Sequence, residues 1–213
     1  MAPIDNFRNI YTKVNQVSKD ATIVVVSKTF QMNVIEPLVN YGHLHFGENR
    51  VNEAKGKWLS VLKEKKDLRL HFLGKLQANK INDIVEVFSY IHSLDNEKAA
   101  NMLSAQEVNS NKKLKYFIQV NTGNETQKSG VSLKESDNFI KYCLNSLKLN
   151  IIGLMCLPPL ADDPIKHFKL LSDIAKNNNL KNLSMGMSND YLAALSCGAN
   201  YLRIGSAIFG ERN

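Results

Sequence analysis

The stretch "TIVVVSK", residues 22–28, is a short and continuous apolar run that ends in a lysine. A run of this length that is rich in β-branched residues is typical of a parallel strand buried on both faces. It follows an amphipathic segment at residues 3–19 that predicts an opening helix. Seven similar runs follow along the chain: "HLHFGEN" (43–49), "RLHFLG" (69–74), "YIHSLD" (90–95), "KYFIQVN" (115–121), "NIIGLMC" (150–156), "NLSMGM" (182–187) and "YLRIGS" (201–206).

The segments between these runs have helical patterning. Apolar residues recur at a spacing near 3.6 in "NEKAANMLSAQEVN" (96–109) and "DPIKHFKLLSDIAKNNN" (163–179). Eight strands, each followed by a helix, predict an α/β fold: a single (β/α)₈ TIM-type barrel with an extra N-terminal helix, as one domain over residues 1–213. A doubly wound open sheet is the alternative. That fold usually needs a GxGxxG turn after the first strand, and "SKTFQM" (27–32) has none.

Composition indicates a globular protein, with 44% hydrophobic and 22% charged residues. Asp5 and Arg8 stand where a signal peptide would be apolar. The longest apolar stretch, "IIGLMCLPPL" (151–160), is too short to span a bilayer. The three cysteines are far apart and form neither a disulfide framework nor a CxxC pair. We therefore expect a cytoplasmic protein with no membrane partner.

The net charge of +7 and the pI of about 9.2 raise the question of a nucleic-acid partner. The basic residues gather in "KEKKDLR" (63–69) and "NKKLK" (111–115), near the ends of predicted helices and without interleaved aromatic residues. We interpret both as solvated helix ends and expect no nucleic-acid partner. A positive field would also attract a small ligand that carries phosphate.

Polar residues gather where the predicted strands end. In a barrel of this type the carboxyl ends of the strands and the loops after them form the active face. The polar strand ends are Ser27-Lys28, Gly47-Glu48-Asn49, Gly74-Lys75, Asn121-Thr122-Gly123, Gly186-Met187-Ser188 and Arg203-Ile204-Gly205-Ser206.

The last two strand ends predict an anion site, because barrels often bind phosphate with the loops after strands seven and eight. Ser188 precedes "NDYLAAL" and Ser206 precedes "AIFG", so each hydroxyl is expected at a helix start beside backbone N–H groups. Gly205 has no side chain and allows the backbone a close approach. The alternative is that both serines only cap their helices.

Lys28 is the second signal. Partial burial at the end of a Val-rich strand favours the neutral amine, which is the nucleophile that forms a Schiff base with a carbonyl. The alternative is a lysine that simply reaches solvent. Barrel closure would place Lys28 within about 10 Å of a phosphate at strands seven and eight. That span suits a compact aldehyde bearing a phosphate, with pyridoxal 5′-phosphate (PLP) as the obvious candidate.

Arg203 would then lie beside the ring of such a ligand. An arginine is permanently cationic, so it can donate to an unprotonated pyridine nitrogen but cannot take its proton. The ring is then a weaker electron sink than one paired with a carboxylate. The alternative is that Arg203 forms a surface salt bridge.

Several segments together resemble the pyridoxal phosphate homeostasis proteins, which are relatives of the barrel domain of alanine racemase. The resemblance covers nearly the whole chain in the family's order. The segments are "VVVSKTF", "HFGENRVNEAKGK", "HFLGKLQANK", "QVNTGNETQKSGV", "GLMCLPP", "LSMGMSNDYLAAL" and "LRIGSAIFGER".

The resemblance implies that PLP is the cofactor, held as a Schiff base on Lys28. It further implies phosphate binding by the two strand-end serines, an arginine at the ring nitrogen, and Asn49 near the ring. Lys128, in "QKSG", would be a second lysine near the mouth that helps cofactor exchange. The cofactor-binding residues that it implies are Lys28, Asn49, Ser188, Arg203, Gly205 and Ser206.

The resemblance also implies a protein without robust turnover that buffers PLP or delivers it to PLP-dependent apoenzymes, with no catalytic residues. A racemase needs a base on each face of the substrate, and alanine racemase takes its second base from a separate domain. Only "ERN" follows the last barrel motif, so we expect that domain to be absent and the protein to be a monomer. A weak PLP-dependent racemase and a cofactor-free Schiff-base aldolase remain as alternatives.

The five histidines suggest no metal site. His43 and His45 alternate on one predicted strand, but without a third ligand we expect them to be structural. His71 and His92 are expected in the core or at the barrel mouth. His167 lies in a predicted helix and is expected to be exposed or at a helix end.

Overall fold

The computed structural model describes residues 2–125 and 127–211. Within these residues, eight parallel strands close into a barrel in chain order, and the first strand pairs with both the second and the last. The predicted TIM-type barrel is confirmed. The strands are β1 (Thr22–Val26), β2 (His45–Glu48), β3 (Arg69–Phe72), β4 (Tyr90–Leu94), β5 (Lys115–Gln119), β6 (Ile151–Met155), β7 (Asn182–Ser184) and β8 (Tyr201–Ile204).

Helices connect the strands and cover the outside of the barrel. They are α1 (Pro3–Val17), α2 (Met32–Asn40), α3 (Val51–Glu64), α4 (Ile81–Val87), α5 (Glu97–Ser110), α6 (Ser136–Lys141), α7 (Pro164–Asn177), α8 (Tyr191–Ser196) and α9 (Ser206–Phe209). A 3₁₀ turn (Ala78–Lys80) precedes α4, and a π-helical turn (Tyr142–Ser146) extends α6. The extra N-terminal helix is confirmed as α1.

Helix α1 ties the beginning of the chain to its end. Pro3 begins the helix, where a missing N–H costs nothing. The buried residues Phe7, Ile10 and Val14 recur at helical spacing on one face of α1. The Asn6 amide donates a hydrogen bond to the carbonyl of Ile208 in α9 (2.9 Å). None of the helices in the described ranges is long and apolar enough to cross a bilayer.

The barrel has two cores of different character. Most buried apolar side chains pack in one cluster, which includes Trp58 and Phe168 from the covering helices. A second and smaller apolar cluster is centred on Tyr90, Phe117 and Met155. The buried polar residues His71, His92, Ser184 and Arg203 lie on β3, β4, β7 and β8 and share one hydrogen-bonded chain.

Strand pairing sets the position of the two chain segments singled out above. In the β1–β8 pair, Val24 lies opposite Arg203 and Val25 lies opposite Ile204. The residues that follow these strands, Lys28 and Ser206, therefore leave the sheet side by side at its carboxyl end. The predicted closure of strand one against strand eight is confirmed.

Candidate functional site

A cavity of about 630 Å³ opens at the carboxyl end of the barrel strands. The structure brings all of the predicted cofactor-binding residues to this one cavity, although their roles toward a ligand stay predictions. They are Lys28, Asn49, Ser188, Arg203, Gly205 and Ser206. The remaining wall includes residues that the strand-end pattern did not indicate, such as Leu73, Met155 and the proline-containing segment 157–160.

Lys28 lies two residues after the end of β1 and is half-buried. The next residue, Thr29, has a positive φ of 70°, which is an unfavourable conformation for a β-branched residue. Its backbone N–H donates a hydrogen bond to the Glu53 carboxylate at the start of α3. This bond holds the strained turn and thereby sets the direction in which the backbone presents Lys28.

A buried ionic network lies behind this turn. The Glu48 carboxylate is fully buried, and its Oε1 accepts hydrogen bonds from the Ser27 hydroxyl (2.7 Å) and the Trp58 indole N–H (3.0 Å). The Lys57 ammonium, 8% exposed, lies 2.9 Å from the same oxygen and also donates to the Ser27 carbonyl (2.9 Å). We name Ser27, Glu48, Glu53, Lys57 and Trp58 the ionic network.

Lys57 joins the two carboxylates of the ionic network, since its Nζ also lies 3.0 Å from Glu53. Burial raises the pKa of Glu53, but hydrogen bonds from Lys57 and from the Thr29 N–H outweigh it and leave the pKa below its usual value. Glu53 therefore stays ionised as an acceptor for the turn after Lys28. Sequence reasoning missed this role, although Glu53 and Lys57 have the i,i+4 spacing of a helical ion pair.

Asn49 lies in the cavity wall, where its backbone and the backbone of Gly74 approach each other closely. A Cβ atom on Gly74 would lie 2.0 Å from the Asn49 carbonyl oxygen, so only glycine fits at the end of β3. The Oδ1 atom of Asn49 is buried and has no hydrogen-bond partner among the described residues. A buried acceptor on a cavity wall without a protein donor is a place for a ligand donor.

Arg203 lies in the cavity wall and is only 5% exposed. Its Nη1 donates a hydrogen bond to the Ser184 hydroxyl (2.8 Å), and its Nη2 donates to the Cys156 carbonyl (3.0 Å). Both partners are neutral, so the alternative of a surface salt bridge is wrong. Burial lowers the pKa of Arg203 below its usual value, yet a guanidinium keeps its proton in this environment.

The two serines occupy different positions from each other. Ser206 begins α9, as predicted, and is exposed. Ser188 does not begin α8, because that helix starts at Tyr191 after Asp190. The Ser188 hydroxyl instead accepts a hydrogen bond from the Ala207 N–H in the first turn of α9 (3.1 Å). The expectation of a serine at each helix start is thus wrong for Ser188, because the loop after β7 turns toward α9 before α8 begins.

Two carboxylates also line the cavity, and both have partners. Asp162 accepts hydrogen bonds from Lys166 and His167, which lower its pKa to about 2. Asp190 accepts a hydrogen bond from the Met187 N–H (2.6 Å). The cavity wall therefore carries acidic side chains as well as the basic side chains of Lys28 and Arg203.

Three other residues that the sequence analysis considered are not among the described residues that line the cavity. Lys128 pairs with Glu125 (2.7 Å) and is not among the cavity-lining residues of the described chain. His167 lies in the first turn of α7 and is buried, so the expectation of an exposed residue is wrong: its ring bridges Asp162 (3.1 Å) and the Thr122 carbonyl (3.2 Å). His43 lies just before β2, and its Nε2–H donates a hydrogen bond to the His45 carbonyl oxygen (2.9 Å).

The described residues contain no group of three or more His, Cys, Asp or Glu side chains that could hold a metal ion.

Comparison with known proteins identifies the family. The sequence model of the family described as "Alanine racemase, N-terminal domain" matches residues 4–213. A relative from Aquifex aeolicus, named pyridoxal phosphate homeostasis protein, is 35% identical over 90% of this chain and 87% of its own. A relative of the same name from Haemophilus influenzae is 32% identical over 93% of this chain and 88% of its own. This chain belongs to the pyridoxal phosphate homeostasis protein family.

Solved structures of the same family superpose closely on this chain. PipY from Synechococcus elongatus, without PLP, is 29% identical and has a TM-score of 0.88 over 99% of this chain and 100% of PipY. PipY with PLP bound has a TM-score of 0.84 over 95% of this chain and 99% of PipY. The resemblance inferred from the sequence motifs is therefore confirmed at the level of family and fold.

Proposed function

We propose that this protein binds PLP in the carboxyl-end cavity and serves in intracellular PLP homeostasis. The observation that carries the proposal is the convergence of Lys28 and Ser206 on one cavity with Arg203 in its wall. The names of the relatives and the PLP-bound structure of PipY support it.

The donor set of the cavity fits the chemical groups of PLP. When bound, PLP supplies an aldehyde that condenses with a primary amine and releases water. Lys28 would provide that amine, and Arg203 would face the pyridine nitrogen with an N–H donor. The unpartnered Oδ1 of Asn49 would accept a hydrogen bond from a polar group of the ligand.

The phosphate would lie at the loops after β7 and β8. Ser188 already accepts a hydrogen bond from the Ala207 N–H, so its own hydroxyl proton is directed outward and can be donated to an anion. Ser206 and the backbone around Gly205 lie beside it at the start of α9. These residues would hold the phosphate through neutral donors.

We further propose that the protein does not turn over a substrate. Arg203 would donate a hydrogen bond to the ring nitrogen of PLP without protonating it, and the ring would then be a weak electron sink. A two-base reaction also needs a second proton acceptor opposite Lys28. The carboxylate of Asp162 is a poor acceptor because Lys166 and His167 hold its pKa at about 2.

The test is covalent mapping of the bound cofactor. Protein incubated with PLP is reduced with borohydride, digested and analysed by mass spectrometry. We expect the pyridoxyl group on Lys28 and its loss, together with the visible absorbance, in Lys28→Ala. Lys75→Ala is the matched control, because Lys75 also follows a strand at this end of the barrel and is exposed. A pyridoxyl group on Lys75, or protein that stays colourless with PLP, would contradict the proposal.

The absence of turnover and the delivery role have separate tests. Incubation with single enantiomers of amino acids should give no sustained change in optical rotation, and continued racemisation would favour the racemase.

The delivery role is tested by mixing the PLP-loaded protein with a PLP-dependent apoenzyme. The apoenzyme should become active faster than in a control in which it receives an equal concentration of free PLP across a dialysis membrane. We also expect a monomer in light scattering.

A further inference from the structure

A chain of polar side chains connects the cavity with the opposite end of the barrel. Behind Arg203, the Ser184 hydroxyl lies 2.7 Å from Nδ1 of His92. Nε2 of His92 lies 2.8 Å from Nδ1 of His71, and Nε2 of His71 lies 3.0 Å from Nδ1 of His45. We name Ser184, His92, His71 and His45 the imidazole chain.

The imidazole chain crosses four strands of the barrel and is buried at its Ser184 end. Ser184, His92 and His71 are fully buried on β7, β4 and β3. His45 begins β2, is half-buried, and lies near Arg69 and Lys115 at the amino-terminal end of the barrel. Stacking on aromatic rings fixes the imidazoles further: His71 lies 4.2 Å from the ring of Tyr90 and His92 lies 4.4 Å from the ring of Phe117.

Arg203 determines the direction of every hydrogen bond in the imidazole chain. A guanidinium only donates, so the Ser184 oxygen accepts from it and has its single proton left to give. The acceptor within reach is Nδ1 of His92, which must then lack a proton. His92 in turn donates from Nε2 to His71, and His71 donates from Nε2 to His45. The reverse direction would leave the Ser184 proton without an acceptor in the barrel interior, which is unfavourable.

The imidazoles are neutral in this arrangement. Burial lowers the pKa of His71 and of His92 well below the usual value, and the charge of Arg203 lowers that of His92 further. Burial also lowers the pKa of His45 to about 4, with smaller contributions from the charges of Arg69 and Lys115. Neutral imidazoles have one donor and one acceptor each, as a one-way chain requires.

We propose that the imidazole chain consists of neutral Nε2–H tautomers and that Ser184 is a positioning residue, which holds the Arg203 guanidinium in the cavity wall. Ser184 and the Cys156 carbonyl together engage both terminal nitrogens of Arg203. The guanidinium plane is thereby fixed, and its remaining N–H groups have a defined direction. What those groups meet in the cavity rests on the proposed function.

The direction of the chain is tested on the protein without cofactor. Nitrogen NMR of protein labelled with ¹⁵N-histidine distinguishes the two neutral tautomers and the cation, and His→Gln variants at each position assign the signals. We expect Nε2–H tautomers at His92, His71 and His45 at neutral pH. Nδ1–H tautomers, or a cationic imidazole at His71 or His92, would overturn the proposal.

The positioning role is tested with Ser184→Ala. We expect this variant to retain its fold by circular dichroism, to lose the single-tautomer pattern at His92, and to bind PLP about tenfold more weakly, the effect of one charge-assisted hydrogen bond. Ser93→Ala is the matched control, because it removes another buried hydroxyl that bonds only the Gly74 carbonyl in the described structure. Equal tautomer patterns and affinities in wild type and Ser184→Ala would contradict the role.

The two proposals fail separately in these experiments. Nε2–H tautomers in a protein that does not bind PLP would leave the imidazole chain standing and remove the proposed function. A protein that binds PLP at Lys28 but has Nδ1–H tautomers would support the proposed function and overturn the proposed direction of the imidazole chain.

Discussion

Lys28 and Arg203 line the same cavity, but they are supported from behind in opposite ways. The turn that carries Lys28 rests on the ionic network, in which Lys57 is enclosed between two carboxylates. Arg203 rests on neutral groups, the Ser184 hydroxyl and the Cys156 carbonyl. The Lys28 side of the cavity is thus supported by buried charges of opposite sign. The Arg203 side is supported by the hydrogen bonds of one cation to two neutral groups.

This difference has consequences for stability and for chemistry. Removing one member of a buried ion pair leaves an uncompensated charge, whereas removing one member of a neutral chain leaves only an unpaired polar group. A neutral chain behind Arg203 does not itself neutralise the guanidinium, whose charge is favoured instead by the Asp190 carboxylate in the same cavity wall. We therefore expect the ionic network to dominate stability at neutral pH and the imidazole chain to respond to acid.

Acid should have the largest effect, because it adds charge to the side of the cavity that is built from neutral groups. Burial lowers the pKa of His43 and His45 to about 4, and it lowers the pKa of His71 and His92 well below the usual value. The unfolded chain takes up these protons near pH 6.5 and the folded chain only at lower pH, so stability falls as the pH is lowered from 6.5 to 4. A shift of this size corresponds to about 3 kcal/mol for His45 of the imidazole chain alone.

Urea unfolding at pH 7 and at pH 4 measures this effect. The carboxylate of Asp162 contributes mainly below this window, because the unfolded chain takes up this proton near pH 3.8 and the folded chain only near pH 2. An unfolding free energy that stays constant or rises on acidification would mean that the histidines are not held neutral.

Glu48→Gln should have the next largest effect. The substitution removes the buried anion that faces Lys57, and breaking a buried ion pair costs about 3–5 kcal/mol. Urea unfolding at neutral pH measures the loss. The matched control is Lys55→Met, which breaks more exposed pairs with Asp83 and Glu86 and should cost much less than Glu48→Gln. Equal losses in the two variants would mean that burial gives the Glu48–Lys57 pair no special role in stability.

His71→Phe should cost less than Glu48→Gln. The ring volume is kept, but Nε2–H of His92 loses its acceptor and Nδ1 of His45 loses its donor. Unpaired buried groups of this kind cost about 1–3 kcal/mol, again measured by urea unfolding. The variant also lacks one acid-sensitive histidine, so its stability should depend less steeply on pH between 6.5 and 4. An unchanged slope would indicate that His71 does not contribute to the pH dependence.

Ser206→Ala should have the smallest effect, because Ser206 is exposed and belongs to neither network. We expect PLP affinity to fall by about fivefold, because a charge-assisted hydrogen bond to phosphate contributes about 1.5–3 kcal/mol and the remaining backbone donors offset part of its loss. Ser188→Ala should weaken binding more, because it also removes the acceptor for the Ala207 N–H. Equilibrium titration with PLP gives both values, and the opposite order would contradict the proposed phosphate site.

Sequence patterns predicted the barrel and the cavity well, for a physical reason. Parallel strands covered on both faces are continuous apolar runs, and the residue after each run must lie at one end of the barrel. Lys28 and Ser206 could therefore be placed together although 177 residues lie between them in the chain. The permanent charge and donor-only chemistry of Arg203 also followed from its residue type alone.

The supports behind the cavity could not be predicted, because they depend on side-chain directions and on register between distant strands. The contact of His92 with Ser184 joins β4 to β7 across the barrel interior. The strained φ of Thr29 and the capping of α9 by Ser188 depend on loop paths that no periodicity describes. His167 was misplaced because a helix end that faces a neighbouring loop buries a residue that the helical pattern alone would leave exposed.

The most direct measurement is a crystal structure of the protein soaked with PLP. The account predicts electron density continuous with Nζ of Lys28, a phosphate between Ser188 and Ser206, and the ring nitrogen facing Arg203. Density for PLP on another lysine, or a phosphate away from the loops after β7 and β8, would contradict it.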